Sequence, residues 1–260
     1  MVDFIRKDRY DMDDLIQIMA LLRAPDGCPW DKVQTHKSIR RDMLEEAYEV
    51  AEAIDLEDFD LLKEELGDVL LQVVFHARMA EEAGRFTFAD VVDGVCQKLV
   101  FRHPHVFGTV NAEDSEGAIN TWEARKQVEK SQKTVGDTLD AVARSLPALM
   151  RAEKIQKKAR KAGFDWDNVG PVLDKIEEET AELRQAVREG SNVEEELGDL
   201  LFAAVKAGGF TGVDSELALH AACEKFIGRF RKVEAMADKP MTEMDIEVLE
   251  DLWRQAKEKT

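Results

Sequence analysis

Apolar residues recur at helical spacing along most of the chain. Between Asp13 and Arg23 they fall at Leu15, Ile18, Met19 and Leu22, the rhythm of an amphipathic helix. The run stops at Ala24-Pro25-Asp26-Gly27, a strong breaker. The same period predicts helices over about Ser38–Ile54, Phe59–Ala83 and Leu146–Ala162. It also predicts two helical segments between Lys175 and Phe202, joined by a turn at Gly190-Ser191-Asn192. No stretch alternates with the two-residue period of a strand. The expected fold class is all-α.

The polar positions within these helices are unusual. Glu179 follows Ile176 by three residues and precedes Leu183 by four, so it falls in the apolar row, and Glu196 stands likewise between Val193 and Leu200. Glu179 pairs along its helix with Glu182, and Glu196 with Asp199, because residues three or four apart share a face. A short turn makes the two segments an antiparallel helical hairpin, with Gly198 expected to ease the approach of the backbones. Four carboxylates then point into one space. At ~5 Å and an effective dielectric of ~20, each like-charged pair costs ~3 kcal/mol. A divalent cation removes that penalty, and all-oxygen ligation suits magnesium, manganese or calcium. The alternative is an ordinary solvated acidic face.

The hairpin recurs earlier, and this changes the picture. Glu46 and Glu49 on one predicted helix, Glu65 and Asp68 on the next, repeat the arrangement. Gly27-Cys28-Pro29-Trp30-Asp31 parallels Gly163-Phe164-Asp165-Trp166-Asp167, a loop presenting an aromatic. Lys98 with Arg102 parallels Lys225 with Arg229, and Trp122 with Lys126 parallels Trp253 with Lys257, each pair four residues apart. An internal repeat of this length predicts two related domains, residues 1–126 and 146–260, with a polar linker over 127–145. Residues 107–118 lack a clear period and predict a mobile loop.

Charge and composition limit the partners. A net charge of −18 argues against duplex nucleic acid and anionic membranes, while leaving open a nucleotide held through metal. The apolar run Val69–Phe75 is far too short to span a bilayer. Three widely spaced cysteines, Cys28, Cys96 and Cys223, suit reduced thiols, so the expected location is the cytoplasm. No histidine follows a glutamate by three residues, which disfavours a di-iron bundle, and no glycine-rich phosphate loop is present. In so acidic a chain, paired cations such as Lys225 and Arg229 beside metal are what a polyphosphate requires. Trp122 and Trp253, each with a lysine one turn on, can close over a base and a phosphate.

Two copies of Glu-Glu-x-x-Glu followed by Glu-x-x-Asp, with Leu-Gly before each final acid, resemble the MazG-type nucleoside triphosphate pyrophosphohydrolases. The resemblance extends to Gly27–Asp31, Arg102–Phe107 and Ser145–Ala152 and so covers nearly the whole chain. It implies two tandem all-α MazG-like domains and a magnesium-dependent enzyme, with manganese as a substitute. The enzyme would split nucleoside triphosphates into monophosphate and pyrophosphate, serve nucleotide-pool cleaning or stress responses, and work as a homodimer. By motif it assigns metal ligands to Glu179, Glu182, Glu196 and Asp199, and to Glu46, Glu49, Glu65 and Asp68. Phosphate and base contacts fall on Lys175, Lys225, Arg229 and Trp253. Asn192 stands where a family lysine contributes to the nucleotide site. From position alone, Glu178 or Glu195 is the expected proton acceptor. Two other readings stay open: an acidic helical scaffold with structural metal, and an all-α hydrolase restricted to one pyrimidine deoxynucleotide.

Overall fold

Residues 4–108, 114–129 and 133–258 are described in a computed structural model of the chain, which divides into two units, 1–126 and 127–260. Among the described residues every regular element is helical. The first unit holds α1 (Met12–Leu22), α2 (Pro29–Val33), α3 (Arg40–Asp55), α4 (Phe59–Glu82), α5 (Phe88–Arg102), α6 (Pro104–Phe107) and α7 (Ser115–Glu129), whose last turn crosses the division. The second holds α8 (Val135–Asp140), α9 (Ala148–Lys161), α10 (Gly170–Glu189), α11 (Val193–Thr211), α12 (Ser215–Met236) and α13 (Ile246–Glu258).

Local chemistry explains the boundaries. Asp11 and Asp14 form a reciprocal capping box at the start of α1, and the Asp58 carboxylate accepts from the Asp60 and Leu61 amides to start α4. Gly190 and Asn192 both take left-handed backbone conformations, with φ of 66° and 57°, and so reverse the chain between α10 and α11. Glycine bears that conformation freely and a β-carbon does not. Gly190→Ala should therefore lower unfolding free energy by ~1 kcal/mol. An unchanged denaturation midpoint would show that the turn carries no such strain.

Each unit is built around its hairpin. In the first, α1 lies on α4, and Met19, Ile39, Val74, Phe75 and Met79 form the core with Leu15, Ile16, Leu70, Leu71 and Phe88 around them. In the second, α9 packs against α11 and α12, and α13 lies along α12. Val172, Val205, Val233 and Ala256 are buried there. Buried Lys206 of α11 reaches Asp165 at 2.5 Å, and Arg160 reaches the same carboxylate, so the loop before α10 is tied to the hairpin.

Several sequence expectations need correction. A β-carbon added at Gly198 would meet nothing within 4 Å, so this glycine is not at the helix contact. Pro29 starts a short helix within the first tryptophan loop, where proline's fixed φ is already helical. The segment expected to be a linker contains α8, capped by Thr134 and packed on α9. Of the loop expected over 107–118, residues 109–113 lie outside the described residues, and helix resumes at Ser115. Within Val69–Phe75, Val74 and Phe75 are core, while Leu44, Tyr48, Ile54, Phe59 and Leu66 are among the exposed apolar residues of that hairpin.

Candidate active site

The hairpins bring their acids together. In the second unit Glu179, Glu196 and Asp199 each offer an oxygen within 4.8 Å of the others. In the first unit Glu46, Glu49 and Glu65 do the same. The fourth acids, Glu182 and Asp68, fall outside these tight groups but remain close enough to act on them. Burial and then the charges of Glu182, Glu179, Glu195 and Asp199 raise the Glu196 carboxyl above its ordinary pKa. Burial raises Glu46 and Glu65 as well, followed by Asp68, Glu49 and Glu65 around Glu46, and by Glu49, Asp68 and Glu64 around Glu65. At both hairpins the neighbouring carboxylates act in the same direction as burial, disfavouring the charged form.

Glu179 is the most enclosed of these acids, with 5% of its surface exposed. Its Oε1 lies 2.7 Å from the Lys175 amine, while its Oε2 is buried with no hydrogen-bond partner. An unpartnered buried carboxylate oxygen is costly to leave so. A hard divalent cation takes oxygen ligands at ~2.0–2.6 Å, so ligands on it stand no more than ~4–5 Å apart, and the oxygens here lie within 4.8 Å of one another. The donor set is all carboxylate and fits such an ion.

The expected cations and aromatics divide into two kinds. Lys175 is held within the acid group, donating 2.8 Å to Glu178 Oε1 as well as pairing with Glu179. Lys225 and Arg229 stand one turn apart on α12, which touches α11. Among the described residues neither forms an ion pair with the acids, and Arg229 Nε is buried and unpartnered. Trp253 of α13 packs its ring 5.0 Å from Phe226 at 44° and lines a shallow surface with Lys257. In the first unit Trp122 is contacted by two cations, the Arg102 guanidinium at 5.1 Å and the Lys126 amine at 4.6 Å from its ring centre. Arg102 is itself buried, Lys98 lies on the same helix, and α5 ends at Arg102 ahead of Pro104. Glu195 is exposed in the first turn of α11.

Two features escaped the sequence reading. The Lys175–Glu179 pair was legible in principle, as a lysine four residues before a glutamate on one helix. The other is a hydrogen bond of 2.8 Å between Nδ1 of His36 and Nδ1 of His76. These residues are 40 apart, and no local pattern links them.

Two helical hairpins, each closing a group of carboxylates beside cationic and aromatic side chains, define an all-α protein with paired acidic sites. The family model for the MazG nucleotide pyrophosphohydrolase domain matches twice, over residues 34–107 and 171–234, each match spanning one acid hairpin. The chain belongs to the MazG nucleotide pyrophosphohydrolase family. It is 50% identical to the nucleoside triphosphate pyrophosphohydrolase of Escherichia coli K12, over 95% of this chain and 97% of that one. It is 45% identical to the nucleoside triphosphate pyrophosphohydrolase/pyrophosphatase MazG of Thermotoga maritima, over 94% of this chain and 95% of that one. A nucleoside triphosphate pyrophosphohydrolase of Mycobacterium tuberculosis is 43% identical over 58% of this chain and 45% of its own. No described helix is long and apolar enough to cross a membrane.

Proposed function

We infer that the protein hydrolyses nucleoside triphosphates between the α and β phosphates, releasing nucleoside monophosphate and pyrophosphate. The observation carrying this reading is the buried, half-partnered Glu179 within a carboxylate group that recurs in both matched domains. Glu179, Glu182, Glu196 and Asp199 would hold magnesium, with manganese as a substitute, and Glu46, Glu49, Glu65 and Asp68 would do so in the first unit. Such a cation neutralises phosphate oxygens and lowers the pKa of a bound water.

The side chains supply the rest. Lys225 and Arg229, one turn apart on α12, neutralise charge on the departing pyrophosphate, and the unpartnered Arg229 Nε is a donor available for it. Trp253 offers a ring face to the base, and Lys257, one turn on, a cation to a phosphate. Glu178 or Glu195, beside the ligands, accepts the proton of the attacking water; the Lys175 amine already fixes Glu178. Product analysis over a panel of triphosphates tests the reading. Monophosphate plus pyrophosphate is expected, while diphosphate plus phosphate would refute it. Turnover of a single pyrimidine deoxynucleotide would favour the restricted hydrolase, and metal binding without turnover the scaffold.

The acid groups should also link metal binding to pH. Glu46, Glu65 and Glu196 have folded-state pKa values raised above their unfolded ones. Repulsion is absent while they are protonated, and in metal-free protein the stability this gives is lost as pH rises through their raised pKa values. Magnesium competes with those protons, so its stabilising effect should grow as pH rises from ~4.5 through that range. Thermal unfolding with and without magnesium checks this; a gain that shrinks with rising pH would contradict it.

Assembly follows from the exposed apolar residues. Leu44, Tyr48 and Leu66 on one hairpin, and Leu197, Leu201 and Phe202 on α11, are suited to burial against a second copy, as a homodimer. Sedimentation should give a dimer mass at micromolar concentration, and a monomer would refute the assignment.

A further inference from the structure

The two acid groups share their ligand pattern but not their immediate surroundings. Four residues before Glu179 stands Lys175, and its amine sits 2.7 Å from Glu179 Oε1 and 2.8 Å from Glu178 Oε1. Four residues before Glu46, at the matching place, stands Asp42. The second group therefore carries its own positive charge against one of its proposed ligands. The first has a further negative charge one helical turn away.

We propose that Lys175 is a built-in counter-cation that competes with bare divalent metal for Glu179, so that the second acid group binds metal alone more weakly than the first. This rests on the metal reading given above. The physical argument is direct. Glu179 is buried, with its side chain 6% exposed, so neutralising it matters more than at a surface pair. Lys175 supplies that neutralisation at Oε1, leaving Oε2 as the one unpartnered oxygen of this carboxylate. A metal ion entering beside Oε2 meets an ammonium already in place, and the two cations repel. The Lys175 side chain is 35% exposed and flexible, so it can withdraw when another anion is offered. In the first group no lysine stands at that place, and Asp42 adds to the attraction for a cation.

Manganese alone, titrated into the full chain without nucleotide and followed calorimetrically, tests this. The Glu46→Gln/Glu49→Gln variant silences the first group and reports the second. Adding Lys175→Gln to it should tighten manganese binding on the order of fivefold, about 1 kcal/mol. Conversely, in a Glu179→Gln background that reports the first group, Asp42→Lys should weaken binding. Circular dichroism confirms that each variant keeps its helical content. An affinity unchanged or weakened by Lys175→Gln would overturn the proposal while leaving the metal reading in place. Manganese uptake by neither group would overturn the metal reading, and the proposal with it.

Discussion

Replacing Glu179 with glutamine should slow pyrophosphate release about 100-fold, whereas the matched change at Glu46 should remove no more than about half. The first figure corresponds to losing ~3 kcal/mol of transition-state stabilisation. Glutamine keeps the size of the side chain and removes the charge of the most enclosed carboxylate. The fold should survive, because Glu178 remains to partner Lys175. The asymmetry rests on what surrounds each hairpin. Trp122 is already contacted by Arg102 and Lys126, and α5 ends at Arg102 before Pro104. In the second unit α12 continues past Lys225, Arg229 and Arg231, and Trp253 has Phe226 as its aromatic partner. We therefore assign most of the turnover to the second unit. Release rates of the two variants at saturating magnesium and triphosphate decide the matter. A Glu46 variant as impaired as the Glu179 variant would reverse it.

Exhaustive chelation should abolish turnover altogether, and readdition of magnesium or manganese should restore it. Without a cation, the carboxylates at each hairpin repel both one another and the incoming triphosphate. The α-phosphorus is then approached through a field of the wrong sign, and no water in the site is acidified. Chelation should also lower the melting temperature, since a ligand bound only by the folded state stabilises it by mass action. Activity persisting in metal-free protein would eliminate the proposed ligand roles of all eight acids.

The helices were legible because apolar period and capping agree. Asp11, Asp58 and Thr87 stand where side chains can take up free amides, and α1, α4 and α5 begin there. Convergence was legible for three acids of each hairpin, since spacing fixes which face a helical residue shares and the short turn fixes how the helices return, but Glu182 and Asp68 fall outside the groups. What spacing could not give was depth. It does not show that Gly198 faces open space, or that Val74 and Phe75 are core while Leu66 is exposed. Nor could it show which side chain a cation would choose. The Lys175 amine rests on Glu178 and Glu179, and Arg102 and Lys126 both contact Trp122. These choices depend on distances between side chains, and a one-dimensional pattern holds only their order.

Hydrolysis in water enriched in oxygen-18, with magnesium and a nucleoside triphosphate, tests the chemistry most directly. Attack at the α-phosphorus places the heavy oxygen in the nucleoside monophosphate and leaves the pyrophosphate unlabelled. Label in the pyrophosphate, or the formation of diphosphate and labelled phosphate, would contradict it.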